Sequence, residues 1–92
     1  MAKVEMTSNL FRFFPSLANR EINVPAGSVA EVLQAMDRIA PGFSHYIIDD
    51  HGALRQHVNL TINDTVVVDR KNLSEKVTDD GTLYIFQALS GG

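Results

Sequence analysis

Between Ser28 and Ala40 the chain carries one apolar series at helical spacing, Val29, Val32, Leu33, Met36, Ile39 and Ala40, while the segments on either side alternate with a period of two. That contrast constrains the fold more than any other feature. A helix with a single apolar stripe cannot bury it alone, and the flanking segments offer only strands as partners. One helix must therefore lie on one face of a sheet. Ser28 reads as the N-cap, with Glu31 three residues on completing a capping box. Glu31, Gln34, Asp37 and Arg38 are expected to face water, and Pro41-Gly42 to end the helix.

The alternating segments supply the sheet. Val4, Met6, Ser8 and Leu10 share one parity against Lys3, Glu5, Thr7 and Asn9, which predicts a first strand running to Leu10. Phe11, Phe13 and Phe14 crowd its end before Pro15, where the chain leaves the sheet. Ile22 and Val24 alternate around Asn23 and stop at Pro25-Ala26-Gly27, giving a short second strand paired with the first. Residues 43–56 are expected to be irregular surface, with a short helical turn at Phe43, Tyr46, Ile47 and Ile48 and a turn at Asp49-Asp50-His51-Gly52. Val58, Leu60 and Ile62 then oppose Asn59, Thr61 and Asn63 in an interior strand, and Val66-Val67-Val68 can return beside it after Asn63-Asp64. Leu73 and Val77, four apart, predict one helical turn. Asp79-Asp80-Gly81 is a turn, and the apolar run 82–89 is the last strand. The fold class is α+β: a mixed four- to five-stranded sheet with the main helix packed on one face, which is the β-grasp or ubiquitin-like arrangement. It is expected to form one domain over residues 1–89, followed by a flexible tail at residues 90–92.

At 92 residues the chain has room for a single core, which excludes an enzyme built around an interdomain cleft. A formal charge of −3 provides no basic field for nucleic acid, and no apolar stretch approaches the length of a membrane span. The absence of cysteine removes disulfides, zinc-thiolate sites and thiol nucleophiles together, and such usage suits a cytoplasmic protein. His45, His51 and His57 recur at intervals of six, which puts no two on one helix face, so no metal site is assigned. Asp49-Asp50 and Asp79-Asp80 are adjacent pairs that precede a glycine, a turn pattern rather than two carboxylates converging on a substrate. No catalytic residue is assigned to the chain.

The end of the chain reads differently. The last strand runs almost directly into Ser90-Gly91-Gly92. A terminal Gly-Gly alone reads equally as a loose end, but two residues without Cβ also present a carboxylate on a backbone thin enough to thread a narrow channel. With Leu10-Phe11-Arg12-Phe13-Phe14 and Arg20-Glu21, Val29-Ala30-Glu31-Val32-Leu33, His57 to Asn63 and Asp79 to Gly92, the chain resembles the MoaD/ThiS-type ubiquitin-like sulfur carriers over nearly its whole length. The terminal segment is the specific part. It departs from the family pattern at Thr82, where Asp is common, and at Gln87, where Pro is common. The long segment 43–56 is closer to the molybdopterin-synthase small subunit and the cysteine-biosynthesis carriers than to the thiamin type.

That resemblance implies a protein cosubstrate with no catalysis and no bound cofactor of its own. An E1-like enzyme would spend ATP to adenylate the Gly92 carboxylate, a sulfur donor would convert it to a thiocarboxylate, and a sulfur-accepting synthase subunit would consume it. Two other outcomes stay open: conjugation of Gly92 to protein lysines, as in a ubiquitin-like modifier, and a β-grasp adaptor whose tail is incidental. For docking, the sheet face opposite the helix is the expected surface, with Phe11, Phe13, Tyr84, Phe86 and Leu89 as candidates.

Overall fold

The computed structural model describes residues 1–87, and the expected end of the last strand and the tail, with Leu89, Ser90, Gly91 and Gly92, lie outside the described residues. Helix α1 (Val29–Met36) starts as its sequence dictates: the Ser28 hydroxyl accepts the Glu31 N–H at 3.1 Å and the Glu31 carboxylate accepts the Ser28 N–H at 2.9 Å. A cap of this kind contributes about 1 kcal/mol. Two further N–H groups of the first turn find distant partners, Val29 donating to the Glu75 carbonyl at 2.9 Å and Ala30 to that of Leu73 at 3.1 Å. The helix stops at Met36, five residues before the expected stop at Pro41. Asp37 does not simply face water: its carboxylate accepts the N–H of Ser44 at 2.8 Å and the Ser44 hydroxyl at 2.5 Å, capping helix α2 (Phe43–Ile47), with Gly42 at φ 89° making the bend between them. Ile39, placed on the buried stripe, is only half-buried.

The strands are β1 (Ala2–Met6), β2 (Ile22–Val24), β3 (Gly27–Ser28), β4 (Val58–Ile62), β5 (Thr65–Val66), β6 (Lys76–Val77) and β7 (Thr82–Gln87). Five of them form one mixed sheet in the order β2-β1-β7-β4-β5, in which only β1 and β7 run parallel, and β3 pairs with β6 in a separate two-stranded ribbon. One face packs on α1: Val4, Ile22, Val24, Val58, Leu60, Leu83 and Ile85 from the strands meet Val29, Val32, Leu33 and Met36. This is the α+β, β-grasp arrangement expected.

Three local expectations are corrected. The first strand ends at Met6, and Leu10 reaches the core from a 3-10 helix (Ser8–Arg12), followed by a second 3-10 turn (Pro15–Leu17). Residues 43–56 are not merely irregular surface: Phe43 and Ile47 are fully buried, Leu54 and Ser44 nearly so, and Ile48 bridges to Leu54. The segment 72–77 holds no helical turn. Leu73 sits at φ 51° with its side chain in the core, and Lys76–Val77 is strand, because the backbone here accepts the first N–H groups of α1 instead of bonding to itself.

Candidate functional site: the open face of the sheet

Alternation along β7 sends Leu83 and Ile85 to the core and leaves Thr82, Tyr84 and Phe86 on the other face, which no helix among the described residues covers. The Tyr84 and Phe86 rings stack against each other with centroids 4.4 Å apart, and Phe86 is 40% exposed. Across the sheet, Tyr84 lies opposite Thr61 and Phe86 opposite Asn59, while Thr61 in turn lies opposite Val66. The Val67 N–H continues the ladder to the Leu60 carbonyl at 2.9 Å, which buries Val67 and turns Val66 and Val68 outward, 59% and 81% exposed. The open face therefore carries Tyr84, Phe86, Val66 and Val68, with Glu5, Thr7, Asn59 and Thr61 between and around them. A contiguous patch of exposed apolar side chains is one feature of surfaces that bind other macromolecules, which makes this face the candidate.

Val66 and Val68, expected only as part of a returning strand, are not among the docking candidates of the sequence, although the signal is present in it. A two-residue turn at Asn63-Asp64 pairs Ile62 with Thr65 and Thr61 with Val66, so inward Leu60 requires inward Val67 and outward Val66 and Val68.

Phe11 and Phe13 do not belong to this face. Phe11 lies in the 3-10 helix that follows β1 and Phe13 directly after it, neither in a strand. Phe11 packs partly into the core and lines a shallow cavity of about 190 Å³ with Glu5, Met6, Leu17 and Arg20. Phe13, 58% exposed, stacks on Tyr46 of α2 at 5.0 Å, and Phe14 meets Phe43 and Tyr46 edge-on at 5.1 and 5.6 Å. Leu89, Ser90, Gly91 and Gly92 lie outside the described residues.

The C-terminal end of β7 is held on both sides. The Thr7 N–H donates to the Ile85 carbonyl at 3.0 Å, the Gln87 N–H to the Thr7 hydroxyl at 3.3 Å, and Asn9 Nδ2 to Gln87 Oε1 at 3.0 Å. On the other side, Val58 lies opposite Gln87. Whatever follows Gln87 thus leaves from a fixed point on the central strand.

The other polar groups of interest serve local structure. Asp49 accepts the N–H groups of His51 and Ala53 at 2.8 and 3.1 Å, and these bonds, Ala53's first, hold its carboxyl below its ordinary value. The Asp79-Asp80 pair sits in a turn closed by the Gly81 N–H on the Thr78 carbonyl at 2.9 Å. His45, His51 and His57 are all exposed, and among the described residues no three metal-ligating side chains are gathered. The two cavities beside β1, about 190 and 230 Å³, are smaller than the roughly 300 Å³ at which small-molecule sites begin.

No family model matches the chain, and no curated protein does. Among solved structures it resembles a chain of the Amycolatopsis orientalis BexX/CysO complex, at TM-score 0.83 and 21% identity over 100% of both chains. It also resembles Mycobacterium tuberculosis CysO (TM-score 0.80, 20% identity, 97% of this chain and 100% of that one) and small archaeal modifier protein 1 from Methanosarcina acetivorans (TM-score 0.74, 22% identity, 99% and 95%). Likeness at this level of identity, spanning both chains from end to end, establishes that the molecule has the β-grasp fold shared by these proteins.

Proposed function

We propose that the protein is a sulfur carrier whose reactive group is the Gly92 carboxylate. The observation that carries the reading is the course of β7. The strand that displays the stacked Tyr84–Phe86 pair is the central strand of the sheet, and its sequence continues after three residues to Gly91-Gly92. A partner seated on the open face lies beside Gln87, the last described residue before the chain runs on to Gly92.

A carboxylate is a poor electrophile. Attack of a Gly92 oxygen on the α-phosphorus of ATP, in the active site of an E1-like enzyme, releases pyrophosphate and leaves an acyl-adenylate. Hydrosulfide or an equivalent sulfur nucleophile then adds to the carbonyl carbon, AMP departs with the former carboxylate oxygen, and a thiocarboxylate remains for a sulfur-accepting synthase. The chain contributes the carbonyl carbon and the docking surface, and the partners contribute the catalysis. On this reading the carrier serves the making of a small sulfur-containing metabolite, cysteine or the molybdopterin cofactor, in the cytoplasm, and the likeness to CysO supports a carrier of this general kind.

Incubation with ATP, the E1-like enzyme of the same organism and sulfide should yield a species heavier by one oxygen-to-sulfur exchange, about 16 Da, located by fragmentation at Gly92. An unshifted mass with an active enzyme would overturn the reading. The likeness to small archaeal modifier protein 1 favours a second outcome for the same activated group, transfer to a lysine amine. Gly-Gly remnants on lysines after digestion would identify it.

A further inference from the structure

Strand β7 reaches its last residue with little backbone left to pair with. On one side β1 ends at Met6, opposite Ile85, and on the other β4 begins only at Val58, opposite Gln87. The Thr7 N–H still donates to the Ile85 carbonyl at 3.0 Å, and a parallel ladder would continue with the Gln87 N–H on the Thr7 carbonyl. That carbonyl is already taken. It accepts the Leu10 N–H at 3.1 Å, the bond that coils the chain into its 3-10 helix. The Thr7 side chain stands in for it, and the Gln87 N–H donates to Thr7 Oγ1 at 3.3 Å.

The side chain of Gln87 is held as well. Its Oε1 accepts Asn9 Nδ2 at 3.0 Å, a partly buried bond between residues 78 apart in sequence. Gln87 has the parity of Leu83 and Ile85, so its side chain lies on the other side of the sheet from Tyr84 and Phe86. The core closes without this bond, because the buried side chains of β7 end at Ile85, two residues earlier. What the two bonds fix is the place from which residues 88–92 lead to the Gly92 carboxylate. Five residues span at most about 17 Å, so a sixth released from the strand changes both the reach and the direction of that span.

We propose that Thr7, Asn9 and Gln87 form a clamp that controls how the Gly92 carboxylate is presented to the enzyme that activates it. This rests on the sulfur-carrier reading and adds to it the residues of this chain that govern the reactive end. All three are positioning residues and touch no reacting atom. With the clamp made, the terminal segment starts from one point, and its carboxylate searches a small volume around the α-phosphorus of ATP. With the clamp broken, Gln87 leaves the strand, and the docked complex reaches the reactive geometry less often.

The test is ATP–pyrophosphate exchange by the E1-like enzyme of the same organism, with kcat and the KM for the carrier measured separately. Asn9→Ala and Gln87→Leu should each lower kcat by about threefold to tenfold and leave KM within about twofold. Together they should lower kcat little further than either alone, since both remove the same bond. Gln87→Glu keeps an oxygen that can accept Asn9 Nδ2 and should keep kcat. Thr7→Val should lower kcat, and Thr7→Ser, which retains the hydroxyl, should keep it. Amide hydrogen–deuterium exchange on the free carrier reads the clamp without the enzyme: Thr7→Val should speed it about fivefold or more at Gln87, while the Thr7 N–H, bonded to the Ile85 carbonyl, stays protected. Variants that keep the melting temperature and the unaltered kcat would overturn the proposal. So would a loss confined to KM, which would assign these residues to docking, or an unchanged Gln87 amide in Thr7→Val. An unaltered carrier that supports no pyrophosphate exchange would instead remove the sulfur-carrier reading itself, whatever the Gln87 amide does.

Discussion

Phe43 and Phe86 are the same amino acid under opposite constraints. The first is fully buried between α1 and the 3-10 segment, edge-on to Phe14 at 5.1 Å; the second lies 40% exposed on the open sheet face against Tyr84. Removing the Phe43 ring leaves a cavity that rigid neighbours cannot fill, so Phe43→Ala should cost about 3–5 kcal/mol in denaturant unfolding. Phe86→Ala opens no enclosed void and should cost less than about 1 kcal/mol. On the sulfur-carrier proposal its effect should appear instead as a higher KM in the adenylation assay, because an exposed aromatic on a docking surface contributes through a pocket on the partner. Equal losses of stability from the two substitutions would mean that Phe86 belongs to the core and that the open face is not a docking surface.

At the scale of elements, the segment 67–75 shows what a spacing argument can and cannot reach. The Asp69 carboxyl gathers it, accepting the Ser74 hydroxyl at 2.7 Å and the Asn72 N–H at 3.0 Å, and these bonds, Ser74's first, hold its pKa below the ordinary value. A depressed carboxyl stabilises the fold fully above its unfolded pKa, about 3.9, and loses that contribution as pH falls through the folded value. Asp69→Asn should therefore melt lower than the unaltered protein at neutral pH, with the difference shrinking below about pH 4. Curves that stay parallel across that range would exclude a charged acceptor. None of this is visible as periodicity. The spacing of Leu73 and Val77 suits a helical turn, but Leu73 takes a left-handed φ so that its carbonyl can receive the Ala30 N–H, a demand set 43 residues earlier in the chain. Asp37 likewise looks like a water-facing helix residue until Ser44 is brought beside it. The Phe11–Phe14 run misled in another way, since the alternation of Val4 and Met6 continues on paper through Ser8 to Leu10 while the backbone has already coiled into a 3-10 helix. What could be read directly was local: the Ser28–Glu31 capping box, the stripe from Val29 to Met36, and the Asn63-Asp64 turn with the register it imposes.

At the scale of the whole molecule, the described residues close into one scaffold. The buried set from Ala2 to Ile85 closes around α1, with the parallel β1–β7 pair at the middle of the sheet, and β7 is fixed at its finish by Thr7, Asn9 and Val58. Gly91 and Gly92 have no side chain to add to that core, so a chain ending at Ser90 should unfold within about 0.5 kcal/mol of the full chain. On the same proposal it should also bind the adenylating enzyme with an affinity close to that of the full chain, because Tyr84 and Phe86 are both retained. It should yield no acyl-adenylate product bearing Gly92 and no thiocarboxylate, and at high concentration it should inhibit the reaction of the full chain competitively. Calorimetry, titration with the enzyme and pyrophosphate exchange check the three parts separately. A truncated chain that is stable and bound but still supports sulfur transfer would place the chemistry elsewhere on the molecule; one that is stable but does not compete would show that recognition resides in the terminal glycines and not in the sheet.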